Sequence, residues 1–364
     1  MADRVRPGPG TRAERAGRLA DAVGTAGLDL LLVTDLTNVR YLTGFGGTNG
    51  ACLIGPGTAT FLTDFRYTDR AAGEVEGWEI GIVSGEWLVG VAERLEGRVG
   101  FEDDRLTVRE AGKLEAGSAE DVELIEAGGM VEDLRRAKDP SEIEAIAAAA
   151  ELTDRIYLEL IGRELTGRTE EAVARFVVDR MREAGAEPSF PPIVASGPNG
   201  ASPHAEPGPR EIEPGELVTI DMGAELDGYC SDCTRAFATG ELDDFAAGIY
   251  EVTLAAQLAG LSAVAAGRAA VEVDRAAREL IEAAGHGEQF GHGLGHGVGM
   301  EVHEGPRIGP RSNDVLAAGD VVTIEPGIYV SGRTGVRIED LVVVGETGIE
   351  RNLSSVPKEL TLVG

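Results

Sequence analysis

Cysteine is scarce in this 364-residue chain, which has only Cys52, Cys230 and Cys233. That is too few for a disulfide scaffold and fits a reducing compartment. The Cys230-x-x-Cys233 pair invites a zinc reading. A structural zinc site needs about four ligands, and Cys52 alone cannot complete one. In a strand, positions three apart also face opposite ways. Long apolar runs are missing: none approaches the ~20 residues that span a bilayer. The opening MADRVRPGPG has no apolar segment behind its basic residues, so no secretory leader is expected, and the expected address is the cytoplasm. Positive charge is short as well, with 33 Lys and Arg against 63 Asp and Glu, a formal net charge of -30. Such a surface repels phosphate backbones and anionic membranes, which argues against nucleic-acid and membrane partners. The acids are spread along the chain and read as a solvated surface rather than an interaction tail.

The length suggests two domains, at roughly 100–200 residues each. Residues 12–26 form an amphipathic stretch ending near Gly27. LDLLLV (28–33) is a short buried strand. ACLIG (51–55) and ATFLTD (59–64) flank Pro56 and Gly57 and read as a hairpin. With apolar pieces near 78–83 and 98–101, residues 1–137 make a small α/β domain without a catalytic cluster. At AKDPSEIEAI, Asp139 can cap, Pro140 suits the first helical position and Glu142 follows three after Asp139. A helix is predicted from there to about Leu165, a second from Thr169, and two more at 242–266 and 270–284. Residues 186–215 are loop-rich and carry His204. The second domain is 138–364.

Two of its segments resemble each other: PGELVTIDMG (214–223) and AGDVVTIEPG (318–327). On an extended chain Thr219, Asp221 and Gly223 share a face, as do Thr323, Glu325 and Gly327. A second acid follows each: Asp232 after the Asp227-Gly228 turn, and Glu339 after a turn at 331–335. Each copy reads as a hairpin with an acid on either strand. Two such hairpins in one sheet would bring four carboxylates together. Four carboxylates cannot all ionise side by side without positive charge, and divalent metal supplies it. The alternative is separate salt bridges to Arg235 and Arg337.

The chain has five histidines, and His286, His292, His296 and His303 lie in HGEQFGHGLGHGVGMEVHE. Every second residue from Gly291 to Gly299 is glycine. If extended, His292, Leu294, His296 and Val298 share a face, so His292 and His296 point into one space. Glycines opposite permit close backbone approach. Histidine is the commonest metal ligand and a proton shuttle near neutral pH. A flexible linker is the alternative reading.

TIDMGAELDGYCSDCTRAF, HGLGHGVGMEVHE, TIEPGIYV and GVRIED together resemble the M24 metallopeptidase family, with its pita-bread fold. The likeness extends to IVASGPNGASPHAEPG around His204. The preceding domain and KDPSEIE look like the branch of creatinase, prolidase and aminopeptidase P. The resemblance therefore implies an α+β protein, with a pita-bread catalytic domain behind a smaller creatinase/prolidase-type α/β N-terminal domain.

It further implies metal ligands Asp221, Asp232, His296, Glu325 and Glu339, with Asp232 and Glu339 bridging two divalent ions. Glu325 would also move protons to and from the bridging water. His303 would contact the substrate carbonyl or the new amine, His204 and His292 would line the substrate site, and Arg337 would hold a bridging carboxylate. The oxygen-rich set suits Mn2+, with Co2+, Zn2+ and Fe2+ as alternatives. Two such ions can activate a shared hydroxide and polarise a scissile carbonyl. The implied activity is hydrolysis of the Xaa-Pro bond at the N-terminus of peptides. The alternatives are an Xaa-Pro dipeptidase (prolidase) and an inactive pita-bread binding protein. A methionine aminopeptidase would resemble the second domain alone, and a creatinase does not use this metal set. Proline-containing peptides are the implied partners, and a homodimer the implied assembly.

Overall fold

Asp139 accepts hydrogen bonds from the backbone N–H groups of Ser141 and Glu142, and the Glu142 carboxylate accepts the Asp139 N–H in return. With Pro140 at the first helical position, this capping box starts the helix Pro140–Ile161. It ends short of the expected Leu165. Gly162 closes it, and the Leu165 N–H bonds instead to the Val363 carbonyl. The computed structural model describes residues 9–363. Its internal contacts form two compact units, one ending at Arg135 and the other beginning at Arg136.

The first unit is built on a six-stranded sheet in the order Glu79–Val83, Thr58–Asp64, Ala51–Gly55, Leu30–Val33, Arg98–Phe101, Glu123–Glu126. Leu30–Val33 runs antiparallel to Ala51–Gly55 and parallel to Arg98–Phe101. The expected hairpin is present, with Gly57 at φ 81° in its turn. The first helix is Pro9–Thr25, and it buries Leu19 and Val23. The strand after it is shorter than LDLLLV and begins at Leu30.

The second unit uses one plan twice. Helices Pro140–Ile161 and Glu170–Glu183 precede a sheet ordered Cys233–Ala238, Leu217–Met222, Ile193–Ser196. Helices Asp244–Ala263 and Ala270–Ala283 precede a larger sheet. Its order is Glu304–Ile308, Gly295–Gly297, Val321–Ile324, Asp340–Val344, Ile349–Asn352. In each half the acid-bearing segment is the central strand of a matching triplet. The halves do not share one sheet, as the duplicated segments suggested. A backbone hydrogen bond links the two sheets, from Glu339 N–H to the Thr234 carbonyl at 3.1 Å. The Asp227-Gly228 turn is as expected: Asp227 sits at φ 51° and Gly228 at 86°, joining Ala224–Leu226 to Tyr229–Cys230.

Each helix pair covers its sheet with an apolar core. One core joins Ile156, Tyr157, Val173 and Val177 to Val218, Ile220 and Phe237. The other joins Ile249, Val273 and Ala277 to Val322, Ile324 and Val342. Side chains of this size contribute about 1.5–3 kcal/mol each when fully buried, enough to hold the strand ends, and the acids on them, in place.

Candidate active site

The carboxylates stand where the paired strands end. Asp221 lies in Leu217–Met222 opposite Thr234. Asp232 immediately precedes Cys233–Ala238, Glu325 follows Val321–Ile324, and Glu339 precedes Asp340–Val344. Asp221, Asp232 and Glu339 are 8%, 5% and 1% exposed. Ligand-capable atoms fall into three overlapping groups, each within 4.8 Å: Asp221, Asp232, Glu339; His296, Glu325, Glu339; and Asp232, His296, His303. The five residues named as ligands are therefore together.

His296 Nδ1 lies 3.1 Å from the Gly297 carbonyl. A carbonyl only accepts, so Nδ1 is the donor on that side and Nε2 is the nitrogen turned toward the acids. Nε2 is 3.2 Å from Glu325 and 3.6 Å from Asp232. Thr323 Oγ1 accepts the His296 N–H and donates to Glu325. Arg337 pairs directly with Asp221 at 2.5 Å. It reaches Glu339, one of the implied bridging carboxylates, through Thr234. Arg337 Nε donates to Thr234 Oγ1, which donates to Glu339 Oε2 at 2.7 Å. Arg235 pairs with Asp340 instead, so the two arginines do not divide the four acids between them.

Burial, reinforced by negative neighbours, pushes Asp221, Asp232 and Glu339 above the usual carboxylate range. Burial acts on Glu325 too, but its bond to His296 and the nearby positive charges outweigh it and hold Glu325 low. Asp221 Oδ1 and Glu339 Oε1 are buried with no hydrogen-bond partner among the described residues. Buried bare carboxylate oxygens are costly. Oxygen-rich groups with one imidazole, open lone pairs and unmatched negative charge fit divalent cations.

The cluster floors a pocket of about 750 Å³. His204, His292 and His303 line it, beside an apolar wall including Phe190, Pro191, Pro192 and Pro203. The His303 ring stands 4.4 Å from that of His296. Partial burial and the nearby His296 and Arg307 lower the His303 pKa to about 4, so the ring is neutral near pH 7. Both nitrogens of His292 are engaged, Nδ1 with the Gly293 carbonyl at 2.8 Å and Nε2 with the Tyr329 hydroxyl at 3.1 Å. Tyr329 also accepts from Arg337 at 2.8 Å. His292 is thus a fixed wall of the pocket rather than a free acid or base.

His286 packs against Phe245, outside the pocket lining. Leu294 and Val298 do not share the histidines' space. They enter two different apolar clusters, because the segment is strand only over Gly295–Gly297. Cys230 and Cys233 are buried free thiols in separate clusters, and burial raises both, so they make no metal pair. Tyr329, Thr234 and Arg278 escaped the sequence reading. Thr323 shares the acid's face in the sequence pattern, and its hydroxyl ties the His296 backbone to Glu325.

A carboxylate and imidazole cluster under a pocket of this kind is the arrangement of a metalloenzyme. Models of metallopeptidase family M24 and of the creatinase/prolidase N-terminal domain match residues 144–346 and 15–137. The chain belongs to metallopeptidase family M24. It is 40% identical to the uncharacterized peptidase YqhT of Bacillus subtilis, over 95% of this chain and 99% of that one. An Xaa-Pro dipeptidase from Bacillus anthracis superposes with a TM-score of 0.93 at 39% identity, covering 96% of this chain and 99% of that one. An X-Pro aminopeptidase from Thermotoga maritima does so with 0.87 at 34%, covering 96% and 100%.

Proposed function

We propose that this metallopeptidase removes an N-terminal residue that precedes proline, using two divalent cations, with Mn2+ the best match to the donor set. The observation that carries the reading is the set of three buried carboxylates, the half-buried Glu325 and His296, with two unpartnered oxygens, under a pocket walled by prolines and Phe190. The names of the similar dipeptidase and aminopeptidase support proline specificity. In this reading Asp221 would hold one cation, His296 and Glu325 the other, and Asp232 and Glu339 would contribute to both. Asp232, His296 and Glu339 each belong to two of the three groups, which supports one shared centre. Bound cations supply Lewis acidity and lower the pKa of water at the site.

The protein's own groups do the rest. Arg337 orients Asp221 directly and Glu339 through Thr234. Glu325 takes and returns a proton at its carboxylate. The neutral His303 meets the carbonyl or the departing amine from the pocket side, and His204 faces the same space. The apolar wall accepts the pyrrolidine ring. A pocket of about 750 Å³ has room beyond a dipeptide and favours the aminopeptidase. Arg307 and Arg311 in its lining favour the second reading, a prolidase, because either guanidinium suits a dipeptide's carboxylate. The domain boundary is assigned between 137 and 138, the working assembly is a homodimer and the compartment the cytoplasm, as the resemblance and composition imply.

The test is incubation with Mn2+ and Ala-Pro, Ala-Pro-Ala or Ala-Ala-Ala, products being followed by mass spectrometry beside a chelated control. Chelator-sensitive cleavage of Ala-Pro-Ala with Ala-Ala-Ala spared is expected. Cleavage of Ala-Pro alone makes the protein a prolidase. Efficient cleavage of Ala-Ala-Ala removes the proline preference. No cleavage with any divalent metal favours the inactive binding protein.

A further inference from the structure

Arg278 enters the pocket lining from the helix Ala270–Ala283, which carries none of the proposed ligands. One helical turn earlier, Asp274, 1% exposed, holds it through two hydrogen bonds, Nε to Oδ2 at 2.7 Å and Nη2 to Oδ1 at 2.9 Å. The guanidinium then donates to the carbonyls of Phe290 at 2.9 Å and His292 at 2.7 Å. It also lies over the Phe290 ring at 4.0 Å. Asp274 Oδ1 accepts the Leu294 N–H at 3.1 Å. One side-chain pair therefore grips backbone groups at 290, 292 and 294.

Strand pairing begins only at Gly295, so no neighbouring strand pairs with residues 290–294. On the far side of the grip, the Leu294 carbonyl accepts the Glu325 N–H at 2.8 Å, and the His296 N–H bonds Thr323. Alternating glycine makes such a chain entropically expensive to hold. His292 and His296 depend on it for their aim.

We propose that Asp274 and Arg278 are positioning residues for His292 and His296, standing in for the missing strand. Lysine cannot replace the arginine, because a planar fork is needed to bind a carboxylate and two carbonyls at once. The catalytic part of this inference rests on the activity proposed above, and its metal part only on His296 as a ligand.

The test compares the full-length wild type with Arg278→Lys and Asp274→Asn, at a temperature where circular dichroism shows each to be folded. Co2+ alone is titrated in and followed by its visible absorption, and kcat and KM are measured with Mn2+ and Ala-Pro-Ala. Expected are a changed cobalt spectrum, affinity weaker by about 10–100-fold at one equivalent, and a fall in kcat larger than any change in KM. A lowered melting temperature with wild-type cobalt spectrum, affinity and kcat would make the pair merely structural and overturn the proposal. So would failure of both variants to fold; if only Asp274→Asn fails, Arg278→Lys decides, since it keeps the ion pair. A wild type that cleaves no Xaa-Pro peptide removes the functional reading, and the cobalt comparison still decides the positioning of His296.

Discussion

Thr234 has one hydroxyl and two tasks. It gives its proton to Glu339 at 2.7 Å and accepts from Arg337 at 3.0 Å, fully buried. Thr234→Val keeps the shape and removes both bonds, so metal affinity should fall by about 10–100-fold. Calorimetric titration of the folded variant with Mn2+ checks this, and unchanged affinity would show that Arg337 and Glu339 align without it. Gln257 is the opposite case. Its side chain is fully buried, and neither its amide nitrogen nor its oxygen has a partner among the described residues. An unsatisfied buried group costs about 1–3 kcal/mol. Gln257→Met keeps the length and should raise unfolding stability by about 1 kcal/mol. The check is a shift of the urea midpoint to higher concentration at constant slope. The acids could be read in the sequence because charge in an apolar strand is anomalous. Thr234 and Tyr329 could not, since both are common in strands and their partners lie far along the chain or across a turn.

The glycine-alternating segment is read correctly in one respect and not in another. Close approach is real: a Cβ on Gly295 would fall 2.0 Å from the Thr323 carbonyl oxygen, a rigid backbone atom. Around Gly291 there is nothing within 4 Å, and its φ is not positive. Gly295→Ala should therefore destabilise by at least about 1–3 kcal/mol. Gly291→Ala should be neutral or stabilising by up to about 1 kcal/mol. Thermal unfolding of the two variants side by side distinguishes required glycine from incidental glycine. What the alternation could not reveal is the early end of the extended geometry, which sends Leu294 to the core. The reason is tertiary: Asp274 and Arg278 bind that stretch, and no local pattern near His292 points to a helix some fifteen residues earlier. Helix starts were legible for a similar reason in reverse, because Asp139, Pro140 and Glu142 act within one turn. The single sheet expected for the two acid-bearing hairpins failed because repetition in sequence says that units match, not which edges they share.

At the scale of the whole molecule, the metal-free charge balance predicts how stability follows pH. Asp221, Asp232 and Glu339 bind protons more tightly folded than unfolded. Their contribution to stability is therefore full below the ordinary carboxylate range and is lost as pH rises through the raised values. Cations compete with those protons. The gap in melting temperature between Mn2+-loaded and chelator-treated protein should widen from about pH 5 to about pH 8. A gap that stays constant would mean the acids are not what the cation binds. The two matching triplets share the acids equally but not the imidazole. Each half supplies two of the four acids, at the ends of its own strands, and His296 comes from the second half alone. The group of His296, Glu325 and Glu339 is therefore complete within one half, while the group of Asp221, Asp232 and Glu339 needs both. Loosening the seam between the halves should thus open the second group before it disturbs the first.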